Sequence, residues 1–421
     1  MHVELAYGKK SLGIEVPDDR TTVIEPDYPP PVDNEQMAIL HAIQNPINCL
    51  PLRTLVKKGQ TVAISVCDIT RPMPSAKVLP VILKELDHLS KEAIVILVAT
   101  GTHRDNTKEE LETMLGPEVV RDYSVVVHNG FSDETLRYVG QTSSGIPIWL
   151  NKLWLDSDFR ITTGFVEPHF FAGFSGGPKM VAPGLAGFET IMQLHSAPLI
   201  AHPNATWGVT EGNPIHDAIR EIAAQTRVDF SLDVTINESH QITSVHAGEL
   251  FASHQSACTL SKKSAMQATS TPYDVVITTN SGYPLDINLY QSVKGLSAAA
   301  KIVRPGGTII CAVECRDGIP EHGHYKDILT SKNSPKDLLN MILSPGYEQQ
   351  DQWQVQIQAQ IQLKADVLVK SDFLSDEDIR SAHMTPIDDL QDALGKVLQN
   401  AGPDATICVL PQGPQTIAYI N

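Results

Sequence analysis

TVAISVCDITRPMPSAKVLPVILKELDHLSKEAIVILVATGTHR, Thr61 to Arg104, carries the fold in miniature. Thr61–Val66 and Ala93–Val98 are short, unbroken apolar runs, as expected of strands covered on both faces. Between them Val78, Leu79, Ile82, Leu83 and Leu86 recur at three- and four-residue spacing, which predicts an amphipathic helix over Pro74–Leu89. Pro74 suits the first turn, where a missing N–H costs nothing. Strand, helix and strand in this order build parallel sheet. The alternation recurs along the chain, with further strands predicted at Ser124–Val127, Phe159–Thr163, Asp274–Thr279, Thr308–Val313, Ala365–Val369 and Ala405–Leu410.

The fold class read from this pattern is α/β: two α/β domains with mainly parallel sheets and an active-site cleft between them. A polar stretch ending in proline, Ser256–Tyr273, is read as the break between them. The expected domains are 1–265, an N-terminal unit carrying the reactive groups, and 266–400, a C-terminal unit closing the cleft. Residues 401–421 are expected to return as a strand to the N-terminal domain. The glutamine-rich patch Gln349–Gln362 reads as the surface of a helix.

Composition narrows the function classes. The 421 residues hold 32 Lys+Arg against 49 Asp+Glu, a formal net charge of −17, with no basic tract. Phosphate backbones and anionic membrane surfaces both demand clustered cations, so neither nucleic acid nor membrane is an expected partner. The apolar run Ala93–Ala99 is far shorter than the roughly 20 residues a spanning helix needs. MHVELAYGKK places charges where a signal peptide has its apolar core, and six scattered cysteines make no disulfide framework, so the cytoplasm is the expected compartment.

Four clusters follow predicted strands, where open α/β sheets place their ligands. CDITRP sets Asp68 and Arg71 in the loop after Val66; a guanidinium there suits a carboxylate or phosphate, although an Asp cap with a surface arginine is an equally ordinary arrangement. ATGTHR brings His103 after Val98. GFVEPHFFAGFSGGPKMVAPG offers Glu167 and His169, then a turn dense in glycine (Gly173, Gly176, Gly177) that reaches Lys179. The spacing matches neither G-x-x-x-x-G-K-[ST] nor G-x-G-x-x-G, so the standard nucleotide fingerprints are missing. His195 ends the helical stretch FETIMQLH. NLYQSVKG opens a helix in the second half and puts Gln291 and Lys294 one turn apart, beside Tyr290. Two histidines on separate loops can act as base and acid on a stereocentre, which leaves a third for a metal.

These motifs resemble the nickel-pincer lactate racemases and their 2-hydroxyacid racemase and epimerase relatives. The resemblance runs over nearly the whole chain, through DITRP (Asp68–Pro72), TGTHR (Thr100–Arg104), EPHFFAGFSGGPK (Glu167–Lys179), LHS (Leu194–Ser196), LYQSVKG (Leu289–Gly295) and DQW (Asp351–Trp353). It implies a racemase or epimerase working by proton-coupled hydride transfer. The implied cofactor is a nickel-pincer nucleotide, a pyridinium-3,5-bisthiocarboxylic acid mononucleotide with nickel, supplied by cofactor-assembly enzymes. His103 and His169 then match the acid/base pair. Arg71, Lys294, Gln291, Tyr290 and Trp353 match groups around a small 2-hydroxyacid. Lys179 matches the covalent tether, with Asp68, Gly176 and Gly177 near the cofactor, and His195 matches the protein ligand to nickel. The rival expectation is a non-catalytic binder of nucleotide or 2-hydroxyacid that kept the cleft.

Overall fold

The computed structural model describes residues 1–321 and 323–421. Each predicted strand is present, with bounds shifted by a few residues. The first sheet has the order Ile242–Gly248, Phe230–Ile236, Phe159–Phe165, Val62–Cys67, Ile94–Ala99, Ser124–Val127. All neighbours run parallel except the edge strand Ile242–Gly248, which is antiparallel. Every residue of Val62–Cys67 is buried, as its unbroken apolar run demands. The second sheet is wholly parallel: Thr385–Pro386, Ala365–Lys370, Val303–Ala312, Tyr273–Thr279, Ile407–Leu410, Thr21–Val23. Pro386, which can donate no ladder hydrogen bond, sits on its edge strand.

The predicted crossover helix forms at Ser75–Glu85 with Pro74 at its cap, and it buries Val78, Leu79, Ile82 and Leu83 against the first sheet. Two strands of the first sheet, Phe230–Ile236 and Ile242–Gly248, lie outside the expected set. Ser231, Asp233 and Thr235 interrupt the apolar pattern of the first, yet all seven of its residues are buried.

The chain divides into two compact units. One comprises Met1–Asp27, Ser196–Ala201 and Ser264–Asn421; the other comprises Tyr28–His195 and His202–Lys263. The division corrects two expectations. The N-terminal residues belong with the second sheet, because Thr21–Val23 pairs with Ile407–Leu410. The C-terminal strand stays there too: Ile407–Leu410 lies between Tyr273–Thr279 and Thr21–Val23, and Ile417–Ile420 pairs with Met266–Thr269. Pairing across hundreds of residues leaves no local trace in the chain.

Two further expectations are corrected. Ser256–Tyr273 is no simple break, since a helix covers Leu250–Ala265 and a strand covers Met266–Thr269. The helix hides its inner face from a hydrophobicity reading because that face includes Ser253, His254 and Ser261, all buried. The glutamines of Gln352–Lys364 do not coat a surface: Gln352, Gln354, Gln356 and Gln358 are all buried. Three of them donate to backbone carbonyls instead. Gln356 donates to the carbonyl of Ala197 (2.9 Å) and Gln358 to that of Ala382 (3.0 Å), and Gln358 also accepts from the Tyr325 hydroxyl.

Ile277, fully buried at the centre of the second sheet, reports its packing. Ile277→Ala is expected to cost about 2–5 kcal/mol of unfolding free energy, measured by urea denaturation.

Candidate active site

Residues 28–195 and 202–263 hold a cluster built by loops at the C-terminal ends of parallel strands. Asp68 follows Val62–Cys67 and His103 follows Ile94–Ala99, two adjacent strands, so their side chains meet. His103 Nδ1 lies 2.7 Å from Asp68 Oδ2, and the Thr70 hydroxyl donates to the other carboxylate oxygen at 2.6 Å. Asp68 was expected at the cofactor or beside Arg71; its direct partner is His103. Burial alone would raise the Asp68 pKa. The hydrogen bond from His103, the charges of His103 and Arg71, and the Thr70 hydroxyl outweigh it and hold the carboxyl below its ordinary range. Because a carboxylate only accepts, Nδ1 of His103 carries the proton and Nε2 the lone pair.

His169 stands in a two-stranded hairpin, Pro168–His169 against Gly173–Phe174. Its Nδ1 accepts from the Ala172 N–H at 3.3 Å, which places the proton of the neutral ring on Nε2. The two candidate acid/base histidines therefore present opposite tautomers. The His169 ring meets Phe171 edge-on at 4.6 Å, and Phe171 meets His195 edge-on at 5.1 Å.

His195 caps the helix Phe188–Leu194 and donates from Nδ1 to the carbonyl of Ile191 at 2.7 Å, which fixes the Nε2 lone pair. Burial lowers its pKa to about 4; the bond to Ile191 opposes this, while the charges of Lys179 and His103 add to it. An imidazole kept neutral with one defined lone pair is what a metal ligand needs. Lys179 lies in the turn Gly177–Met180, half-buried. Gly176 (φ +71°) and Gly177 (φ +49°) precede it in the left-handed region, where a Cβ would also collide with Val166 and with His254.

The remaining candidates form their own cluster in the other unit. Lys294 donates to Gln291 Oε1 at 2.9 Å along the helix Leu289–Ala300, as the one-turn spacing implies. The Trp353 indole donates to the Tyr290 hydroxyl at 3.1 Å, and Tyr290 packs edge-on to Tyr325 at 5.2 Å.

The residue patterns of two family descriptions match: the lactate racemase N-terminal domain over residues 7–208 and the lactate racemase C-terminal domain over 268–418. The chain belongs to the lactate racemase family. It is 37% identical over 423 residues to a lactate racemase of Thermoanaerobacterium thermosaccharolyticum, with 99% of both chains covered. A second lactate racemase, from Lactiplantibacillus plantarum, is 34% identical over 417 residues, with 98% of both covered. The lactate racemase apoprotein structure from T. thermosaccharolyticum superposes with a TM-score of 0.94 at 36% identity, covering 99% of this chain and 100% of that one. A Thermotoga maritima protein shares the fold alone, at TM-score 0.69 and 19% identity over 92% of this chain and 98% of its own. The chain is an isomerase of the racemase type.

Three buried residues behind the glycine turn, Asp233, His216 and His254, escaped the sequence reading. The signal for Asp233 was available: it is the one charge in the strand-like run FSLDVTI.

Burial keeps several imidazoles neutral, with His195 and His246 lowered to about 4 and His216 to about 3. Released histidines protonate near pH 6.5, so the unfolded chain takes up protons that the native chain refuses. Unfolding free energy is expected to fall between pH 6.5 and 4, by about 1.4 kcal/mol per pH unit for each such histidine. Urea titrations at pH 7, 6 and 5 measure the slope, and His246→Gln should reduce it by about one proton.

Proposed function

We propose that the chain racemises a small 2-hydroxycarboxylate, lactate being the first candidate, with His103 and His169 as its acid/base pair. The observation that carries this is the braced His103: a buried carboxylate 2.7 Å from Nδ1 leaves Nε2 as the basic nitrogen. His169, on a separate loop and with Nε2 protonated in its neutral form, is the complementary group. One imidazole takes the hydroxyl proton of the substrate; the other, once protonated, returns a proton to the same oxygen on the opposite enantiomer. Their assignments exchange for the reverse reaction. Arg71 and Lys294 are the cations assigned to the carboxylate, where a planar fork and a mobile ammonium both serve. Gln291, Tyr290 and Trp353 are assigned to the substrate pocket.

The residues present fit a nickel-pincer nucleotide. His195 has the neutral tautomer of an Nε2 metal ligand, and a metal gripped mainly by its own organic cofactor asks the protein for little more. Lys179 would hold the cofactor covalently, with Asp68 and the backbone of Gly176 and Gly177 alongside. When bound, the group supplies a reversible acceptor for the substrate α-hydrogen. Cofactor-assembly enzymes are the implied partners. None of the described helices is long and apolar enough to cross a membrane.

Protein co-produced with those enzymes should convert L-lactate, or another acid in a 2-hydroxyacid panel, to a mixture of both enantiomers without added NAD. Failure to form the opposite enantiomer of any acid in the panel, in protein carrying nickel and the adduct, would refute the reading. His103→Ala and His169→Ala should each lower turnover by about 100-fold or more, and chiral chromatography measures this. Asp68→Asn should lower kcat by about tenfold or more with KM little changed, as expected when a second group that orients an imidazole is lost.

A further inference from the structure

The turn that presents Lys179 is bracketed by two buried side chains from elements remote in sequence. Asp233 comes from the strand Phe230–Ile236, which lies beside Phe159–Phe165 with Asp233 in register with Gly164. Its Oδ1 accepts the Gly177 N–H at 2.9 Å. The same oxygen would stand 2.3 Å from a Cβ on Gly164 and 2.9 Å from one on Gly176, so both positions are kept bare to let the carboxylate reach the turn. His254 comes from the helix Leu250–Ala265. Its ring lies where a Gly177 Cβ would be, at 2.4 Å, and Nε2 donates to the Ser175 carbonyl at 2.9 Å. Cys258 Sγ stands 3.7 Å from Nδ1 of the same ring, and His216 stacks on it at 5.8 Å.

The bracket reaches further than one turn. The Ser175 hydroxyl donates to the Phe165 carbonyl at 2.7 Å and accepts the Glu167 N–H at 2.9 Å. Both ends of the loop bearing His169 are thereby tied to the residue that His254 holds. We infer that Asp233 and His254 are positioning residues that fix the Gly176–Gly177 turn, and through it the Lys179 amine, for attachment of the cofactor. Both groups are buried, and each makes a hydrogen bond to the backbone of this loop, Asp233 to the Gly177 N–H and His254 to the Ser175 carbonyl. The inference rests on the reading of Lys179 as the covalent tether.

The test uses the full chain and four variants in two pairs. D233N and H254Q each keep an atom able to make the original hydrogen bond, whereas D233A and H254L lose it. Each is co-produced with the cofactor-assembly enzymes, and mass spectrometry reads the fraction carrying an adduct at Lys179. In parallel, apoprotein is treated with trace acetic anhydride, and acylation of Lys179 is measured relative to the other lysines. Thermal unfolding checks that each variant folds. D233A and H254L should lose about tenfold or more in adduct formation, and their relative Lys179 acylation should change about threefold or more; D233N and H254Q should stay within about twofold of the parent. Parent levels of both readouts in a folded D233A or H254L would overturn the inference. So would equal losses in both members of each pair, which would mean a general structural role. If D233A does not fold, the H254L and H254Q pair decides. A parent protein that never acquires an adduct would sink the tether reading, while the acylation pattern would still decide the positioning.

Discussion

The hydrogen bond from the Gly177 amide to the buried Asp233 carboxylate is the contact around which the candidate site is arranged. Burial raises the Asp233 pKa, opposed by the neighbouring His254, the Gly177 amide and Ser231. Such a group is costly to bury unless its partners are fixed. The backbone must therefore come to it, and the glycines at 164 and 176 allow that approach, while Gly177 leaves room for the His254 ring. Once the turn is pinned, Ser175 ties Phe165 and Glu167 on either side of the hairpin bearing His169.

Burial also sets the chemistry of the imidazoles. His195, His216 and His254 are neutral because a charge would be desolvated, and the Lys179 charge adds to that in each case. His103 differs in being half-exposed and facing a carboxylate. The candidate site thus sets sealed histidines, whose hydrogen bonds to backbone fix a tautomer, beside an accessible one braced by an acid. The net charge of −17 describes the whole surface and does not bear on this local pattern.

Much of the fold was legible because parallel strands buried on both faces are written as unbroken apolar runs. Val62–Cys67 and Ile94–Ala99 could be read directly, as could the helix between them. Phe230–Ile236 was missed although its alternation is strand-like, because Ser231, Asp233 and Thr235 are buried polar residues that break the unbroken apolar run marking the other strands. The helix Leu250–Ala265 and the glutamines after Asp351 were misread for a related reason. Several polar side chains there, among them His254, Gln356 and Gln358, are buried and donate to backbone of distant segments, and hydrophobicity records composition without recording partners.

By itself the sequence determined the α/β class, the strand ends at which chemistry would sit, and the motifs that mark the lactate racemase family. Those follow from local periodicity and short spacings. Only the tertiary structure decided that Asp68 belongs to His103, that Thr21–Val23 and Ile407–Leu410 are neighbours in one sheet, and that Asp233 and His254 grip the lysine turn. Each of these is a pairing between residues far apart in the chain. A hydrogen bond depends on where two atoms come to rest, and that is fixed by the packing of whole elements.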